Sequence, residues 1–294
     1  GGSSEPLFLC YFSRTIVIFN SFYFTNYLNK LIAGSTIVHL YQKDFKSFNF
    51  PLPPTKEEQT AIATALNDTD KLISQLEKLI AKKQLIKQGA ADSLLSAKDG
   101  WFNKTLGEVA KFRRGSFPQP YGLDKWYDEI NGLPFVQVYD VDDNKRLKPE
   151  TKSHISKEAE PWSVFVEKGT IVLTIQGSIG RIAITQYDAY VDRTLLIFER
   201  FLEPFNKYFF MMIVHRLFEK EKQKAPGGTI KTITKEALSS FEISYPKIDE
   251  QNQIAILLSD MDNELEMLET KLNKYKMLKQ GMMQNLLTGK IRLV

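Results

Sequence analysis

Pro54-Thr55-Lys56-Glu57-Glu58-Gln59-Thr60-Ala61-Ile62-Ala63 returns 192 positions later as Pro246-Lys247-Ile248-Asp249-Glu250-Gln251-Asn252-Gln253-Ile254-Ala255. The register then holds without a gap. Leu66 meets Leu258, Asp68 meets Asp260 and Asp70 meets Asp262, while Lys87-Gln88-Gly89 meets Lys279-Gln280-Gly281 and Leu94-Leu95 meets Leu286-Leu287. Upstream it slips by one residue, with Gly34-Ser35-Thr36-Ile37 opposite Gly227-Gly228-Thr229-Ile230 and Phe48 opposite Phe241. A repeat of about 190 residues is far too long for a solenoid. It reads as one duplicated module of a domain and a helix, with the first copy present only as its tail.

Both copies carry helical periodicity. In the second, Ile254, Leu258, Met261, Leu265, Leu268, Leu272 and Tyr275 recur in steps of four and three. That is an a/d heptad seam, interleaved with Glu264, Glu266, Glu269, Lys271 and Lys274. The first copy gives Ile62, Leu66, Ile73, Leu76 and Ile80 in the same phase, with Thr69 as a polar member. Pro54 and Pro246 stand just before each helix, where a missing N–H costs little. Helices of about 40 residues are roughly 60 Å long. Such a seam must be buried. Pairing of the two helices inside the chain, antiparallel because a domain of about 150 residues returns the chain between them, is the economical solution. Pairing of each helix with another molecule is the alternative.

Between the helices, residues 101–245 change texture. Leu133-Pro134-Phe135-Val136-Gln137-Val138, Thr170-Ile171-Val172-Leu173-Thr174-Ile175 and Arg181-Ile182-Ala183-Ile184-Thr185 read as strands bounded by Gly, Pro and Asn. Phe205–Lys222 reads as a helix, with Phe209, Met212, Ile213, Arg216 and Leu217 on one face. The fold class expected is a mixed α/β (α+β) domain flanked by two long helices that form an antiparallel intramolecular coiled coil.

Three segments of this domain have the chemistry of nucleic-acid contacts. Lys111-Phe112-Arg113-Arg114-Gly115-Ser116 reads as a loop with three cations beside a glycine, where backbone could approach a phosphate. Gln176-Gly177-Ser178-Ile179-Gly180-Arg181 joins two strands and offers an amide, a hydroxyl and a guanidinium. Arg and Gln are suited to bidentate reading of guanine and adenine edges. From Arg216 to Lys235 the cations Arg216, Lys220, Lys222, Lys224, Lys231 and Lys235 surround the turn Pro226-Gly227-Gly228-Thr229. Contacts of this kind set register on the phosphate backbone and make affinity salt-dependent. The candidate DNA-binding set is therefore Lys111, Arg113, Arg114, Ser116, Gln176, Ser178, Arg181, Lys222, Lys224, Gly228, Thr229 and Lys231. The Tyr and Phe residues of the region are expected in the core rather than as stacking platforms.

Composition restricts the remaining classes. With 294 residues, 43% apolar and 25% charged, the chain has the make-up of a folded domain or two. A net charge of +4 is no polycation, so any nucleic-acid surface must be local. Cys10 alone can form neither an internal disulfide nor a thiolate cluster, in keeping with a reducing, cytoplasmic setting. The apolar run Leu7–Phe19 contains Arg14 and is short of the roughly 20 residues a spanning helix needs. It also lacks the basic lead and small-residue cleavage site of a signal peptide.

Motifs of catalysis are missing. No phosphate-binding G-x-x-x-x-G-K-[ST] loop occurs, no G-x-G-x-x-G follows a strand, and no Asn-Pro-Pro-aromatic or Asp-Pro-Pro-aromatic run of the amino-methyltransferase kind is found. His39, His154 and His215 have no Cys or His at metal-ligand spacing. Asp140-Val141-Asp142-Asp143-Asn144 opens like a calcium loop, but Lys145 stands where glycine is needed and Thr151 where glutamate is needed. Glu150-Thr151-Lys152 could mimic a nuclease's acid-x-Lys element, yet reads as polar loop. The chain is expected to be no enzyme and to hold no metal or cofactor.

The arrangement resembles the specificity subunits of type I restriction–modification systems. The likeness is carried by the Pro-x-x-x-Glu-Gln-x-x-Ile-Ala opening at 54–63 and its variant at 246–255, and by the Lys-Gln-Gly and Leu-Leu helix ends. Trp101 with Thr105-Leu106-Gly107-Glu108-Val109, and Gly227-Gly228-Thr229-Ile230 leading to Phe241, complete it. The resemblance implies target-recognition domains, each followed by a spacer helix, with the helices paired antiparallel to set the distance between two halves of a DNA target. It implies double-stranded DNA as partner, together with DNA adenine methyltransferase (modification) subunits and a restriction motor-nuclease subunit. S-adenosylmethionine, ATP and Mg then belong to those partners. On this reading residues 1–53 are the C-terminal piece of a first recognition domain, 54–98 the first spacer helix, 99–245 a complete recognition domain, and 246–294 the second helix and tail. An incomplete first domain would let two such chains associate into a homodimer through that side. The competing expectation is a scaffold or decoy that docks partners through its helices without reading DNA.

Overall fold

The computed structural model describes residues 22–32, 41–49, 53–224, 233–287 and 289–293. Leu7–Phe19 with Cys10, His39, the Gly34–Ile37 match, and Gly227–Ile230 with Lys231 lie outside them. Two compact units are distinguished, one of residues 1–87 and 261–294, the other of residues 88–260.

Two helices of equal length dominate the element order: α3 over Lys56–Leu94 and α7 over Ile248–Leu286, 39 residues each. They are preceded by the short helices α1 (Phe22–Ile32) and α2 (Gln42–Ser47). Tyr27 Oη donates to the Asp44 carbonyl at 2.6 Å, and Phe24 meets Phe48 edge-on at 5.2 Å. At the start of α3 the Thr55 hydroxyl accepts from the Glu58 amide at 3.2 Å, an N-cap that satisfies one orphan donor. The shared Glu-Gln of the repeat has a physical role here. Gln59 Nε2 donates to the Pro53 carbonyl at 2.8 Å, and Gln251 Nε2 donates to the Pro246 carbonyl at 2.9 Å. Each glutamine thus ties its helix to the chain that enters it. Gln251 is buried and also accepts from the Asn206 amide at 3.1 Å.

Within the first unit, α3 and α7 run antiparallel. Lys83 pairs with Glu264 at 2.7 Å, Glu77 with Lys276 at 2.8 Å, Asp70 with Lys279 at 2.5 Å, and Lys87 with Asp262. Numbers rise along one helix as they fall along the other. Asp70–Lys279 and Lys87–Asp262 join the same repeat positions in exchanged roles, since Asp262 is the 192-residue counterpart of Asp70 and Lys279 that of Lys87. The duplication is therefore realised as a helix pair with approximate two-fold symmetry. The alternative of helices paired only with other molecules is replaced by an internal pair.

The seam lies between those ion pairs. Ile62, Leu66, Thr69, Leu76 and Ile80 are buried on α3 and Ile73 is half-buried. On α7, Leu265 is buried and Met261, Leu268, Leu272 and Tyr275 are half-buried, while Ile254 and Leu258 are buried in the second unit. Ile62, Leu66 and Leu286 form the centre of one apolar cluster, with Met282, Met283, Leu287 and Leu293 packed on it. Exposed ion pairs contribute about 0–1 kcal/mol each. A buried leucine contributes about 1.5–3 kcal/mol. The seam therefore stabilises the pair, and the charges select its register.

The second unit carries the ten strands found among the described residues. β1 (Phe102–Thr105) pairs antiparallel with β10 (Glu242–Tyr245). One four-stranded sheet has the order β2 (Ala110–Arg114), β9 (Leu195–Phe201), β6 (Ile171–Thr174), β7 (Ile182–Ile184), all antiparallel. The other has the order β4 (Ser153–Ile155), β3 (Leu133–Val136), β8 (Ala189–Val191), β5 (Val164–Val166), with β3 and β8 parallel. Val136, Val172, Val191, Leu195 and Ile197 share one core, and Phe117, Trp126, Phe135 and Ile155 another. The single turn α4 (Leu106–Val109) and α6 (Lys235–Ser239) complete the unit with α5 (Lys207–Lys224). α5 departs from the one-face expectation. Residues Phe209–Val214 are all buried, so the helix is surrounded by core rather than lying on it. It starts at Lys207 because the Asn206 side chain caps it, accepting from the Phe209 amide at 3.1 Å.

Candidate nucleic-acid interface

The segment read as a basic loop is a strand. Lys111, Arg113 and Arg114 belong to β2, with Phe112 turned into the core between exposed cations. A β-bulge between Lys111 and Phe112 shifts the pairing with β9. Arg113 lies 3.9 Å from Glu199 on β9. Gly115 is needed by close packing within the fold rather than by a phosphate. A Cβ there would stand 2.2 Å from the Val191 carbonyl oxygen and 2.4 Å from that of Asp192.

Gly115 leads to the centre of the candidate site, the turn Asp192-Arg193-Thr194 between β8 and β9. The Gly115 amide donates to the Leu195 carbonyl at 3.1 Å and the Ser116 amide to the Val191 carbonyl at 3.0 Å. From the other side, the Ile175 amide donates to the Thr194 carbonyl at 3.0 Å. The two predicted segments, 111–116 and 176–181, therefore flank one turn, although 60 residues separate them in sequence. Buried Asp192 holds this turn by accepting from the Thr194 amide at 3.0 Å and from the Thr194 hydroxyl.

The Gln176–Arg181 loop does connect β6 to β7, with Gln176, Gly177 and Ser178 exposed. Gly177 and Gly180 both take positive φ, at +69° and +86°. At Gly180 a Cβ would also stand 2.7 Å from the Phe218 ring. Arg181 is engaged by the fold: its guanidinium makes a bidentate pair with Asp143, at 2.7 and 3.0 Å. The calcium-like stretch is thereby explained. Asp140 is fully buried and its carboxylate accepts from the Gln137 amide at 2.8 Å and the Lys152 amide at 3.0 Å. Burial pushes the Asp140 carboxyl above its ordinary pKa. Lys145 takes the left-handed conformation, φ 61°, at the position where a calcium loop has glycine. The stretch is a tight turn closed by a bridge between Val141 and Leu147. In Glu150-Thr151-Lys152, Thr151 is buried and donates to the Ser153 carbonyl at 2.9 Å. Among the described residues no group of three or more His, Cys, Asp or Glu is placed to hold a metal ion.

Of the third predicted segment, Lys222 is half-buried at the end of α5 and pairs with Glu219 at 2.7 Å. Lys224 is the last residue of that helix, and Gly228, Thr229 and Lys231 lie outside the described residues. Ser116 Oγ donates to the Trp162 carbonyl at 2.7 Å, and Trp162 itself is 66% exposed.

Sequence reasoning missed the aromatic part of the site. Phe112, Phe117, Phe135 and Phe198 are core, but Tyr121 and Tyr139 are exposed beside the Asp192 turn. Tyr121 rests on Phe117, 5.1 Å between ring centres, and its hydroxyl donates to Asp192 at 3.4 Å. Gln137 Nε2 donates to the Tyr121 hydroxyl, and the Tyr139 hydroxyl donates to Gln137 Oε1. Arg193 lies over the Tyr121 ring at 5.5 Å and Lys152 over the Tyr139 ring at 5.0 Å. Burial raises the pKa of both phenols, and the Asp192 charge adds to the effect on Tyr121, so both stay protonated donors. The usable signal in the sequence was Asp192-Arg193-Thr194, a polar triplet between two apolar runs.

A family model described as "Type I restriction modification DNA specificity domain" matches the chain twice, over residues 10–88 and 98–276. The type I restriction enzyme MjaVIII specificity subunit of Methanocaldococcus jannaschii is 28% identical over an alignment covering 91% of this chain and 68% of that protein. The fold is also that of the HsdS subunit from Thermoanaerobacter tengcongensis, with TM-score 0.54, 22% identity and coverage of 95% of this chain and 70% of that one. The S subunit of a type I restriction–modification system from M. genitalium gives TM-score 0.59 at 17% identity, covering 90% of this chain and 71% of that one.

Proposed function

This chain belongs to the type I restriction modification DNA specificity family, and from that premise we propose that it selects DNA targets by sequence and holds the modification subunits of a restriction–modification complex. Reading is assigned to the recognition domain of residues 99–245. The observation that carries it is the convergence of two predicted contact segments on the Asp192–Thr194 turn, where exposed Arg114, Gln176, Ser178 and Arg193 stand within one unit. Such a mixture of cations, amides and hydroxyls suits phosphate positioning together with base-edge readout. Lys111 and Arg113 on β2, and Lys222 at the end of α5, extend the positive surface.

Scaffolding is assigned to the spacer helices. Leu72, Leu79 and Ile86 recur at seven-residue spacing on α3, and all three are exposed, as are Met267, Met277 and Leu278 on α7. An apolar stripe outside the paired seam is surface that a partner can cover. The DNA adenine methyltransferase subunits are the proposed occupants, with a motor-nuclease subunit joining them. Catalysis, S-adenosylmethionine, ATP and Mg reside in those partners, and this chain contributes sequence choice and geometry. No helix among the described residues is long and apolar enough to cross a membrane, and a cytoplasmic complex is proposed.

Arg181 supports a second reading. Its guanidinium is bound to Asp143, and a scaffold or decoy would keep the helices while its recognition loops are closed. Co-purification with the modification subunit, followed by mapping of adenine methylation on random DNA, separates the two. Methylation at one motif that requires this chain supports sequence selection. A stable complex without motif-dependent methylation supports the scaffold, and absence of a complex refutes both.

A further inference from the structure

The hydrogen bonds around Gln137 form a chain with one direction. Asp192 is a carboxylate that can only accept, so the single Tyr121 proton goes to it. The Tyr121 oxygen must then accept from Gln137, which places the amide nitrogen on that side. On the other side the Tyr139 proton goes to the amide oxygen. Side-chain amides ordinarily turn over readily, and this one has its polarity set from the Asp192 end, with Tyr139 free to donate to the oxygen that results. The backbone around it is fixed too, because the Gln137 amide donates to buried Asp140 at 2.8 Å. Next to it, Val138 packs on Gly177 of the Gln176–Ser178 loop, where a Cβ would stand 3.4 Å from its methyl group. Arg193 and Lys152 flank the two tyrosines with positive charge.

An amide of set polarity discriminates one base. Adenine offers an acceptor at N7 beside a donor at N6 in the major groove, the complement of an amide's N–H and oxygen. We propose that Gln137 reads an adenine of the DNA target, with Tyr121, Tyr139 and Asp192 as positioning residues that set the direction of its amide. The inference rests on the DNA-reading role proposed above. Lys152 and Arg193 are placed to meet the adjacent phosphates.

The test is selection from a pool of randomised duplex DNA by the full chain in complex with its modification subunit. The wild-type complex selects a motif containing the adenine. Gln137→Ala loses preference at that one position by about ten-fold, in keeping with the discrimination a bidentate pair supplies. Gln137→Glu presents acceptors alone and moves the preference there to cytosine, whose N4 is a donor. Tyr121→Phe removes the link to Asp192 and relaxes the same position, while the other positions and the melting temperature stay as in the wild type. A motif unchanged by both Gln137 variants, or weakened evenly at every position, overturns the inference and leaves DNA reading intact. A wild-type complex that selects no motif overturns the reading role itself and this inference with it.

Discussion

Replacing Leu66 by alanine tests the internal helix pair at its centre. Leu66 is fully buried against Ile62 and Leu286, with Met282, Met283, Leu287 and Leu293 around them. The substitution removes three carbons, worth about 0.8 kcal/mol each in transfer, and leaves a cavity besides. Two methionines line the site, and their flexible side chains can fill part of the space. The expected loss is therefore about 2.5–3.5 kcal/mol, in the lower half of the range for buried leucines. Urea unfolding followed by helical circular dichroism, at two protein concentrations, measures it. Leu72→Ala, on the same helix but 43% exposed, serves as the control and is expected to change stability by no more than about 0.5 kcal/mol. The reasoning is refuted if Leu66→Ala costs no more than the control. It is refuted equally if the wild-type midpoint rises with protein concentration, because that would make the pairing intermolecular.

Gly180→Ala places a Cβ at 2.7 Å from the Phe218 ring at φ +86°. It is expected to lower the recognition domain's stability by about 1–3 kcal/mol, whereas Gly177→Ala, with φ +69° and its nearest neighbour at 3.4 Å, carries the backbone penalty alone. Thermal melts of the two variants check the order. Arg292 grips Glu58 at 2.5 and 2.6 Å, and those hydrogen bonds hold the carboxyl below its ordinary 4.5. A folded-state pKa that is depressed stabilises the fold at pH above the unfolded value, and the contribution is lost as pH falls through the folded one. Melting temperature should thus fall on acidification below about pH 4.5, and less steeply in Arg292→Ala, as a pH series of melts would register.

The long helices were legible because their information is local and written twice. Steps of four and three, a proline before each start and a register kept over forty positions need no knowledge of distant residues. The pairing of Asp70 with Lys279 and Lys87 with Asp262 even follows from symmetry once the helices are antiparallel. The basic segment was misread for the opposite reason. Lys111-Phe112-Arg113-Arg114 has strand alternation, but its cations and glycine suggested a loop, and only the pairing with β9 decides the matter. The aromatic expectation failed at Tyr121 and Tyr139, since a tyrosine in a core and one at its rim have the same local neighbours in sequence.

What the sequence determined by itself was the frame: two equal helices, a seam to bury, a β-rich domain between them and the family to which that order belongs. Periodicity and duplication are properties of the chain, and they survive without coordinates. Tertiary structure alone decided which polar groups are used up and which remain. Arg181 is taken by Asp143, Gly115 is needed by the backbone of Val191 and Asp192, and Gln137 is aligned by Tyr121 and Tyr139. Those partners stand 16 to 77 positions away or, for Tyr139, two positions along on the turn Gln137 opens. Hydrogen bonds act over about 3 Å of space, and distance along the chain carries no record of it.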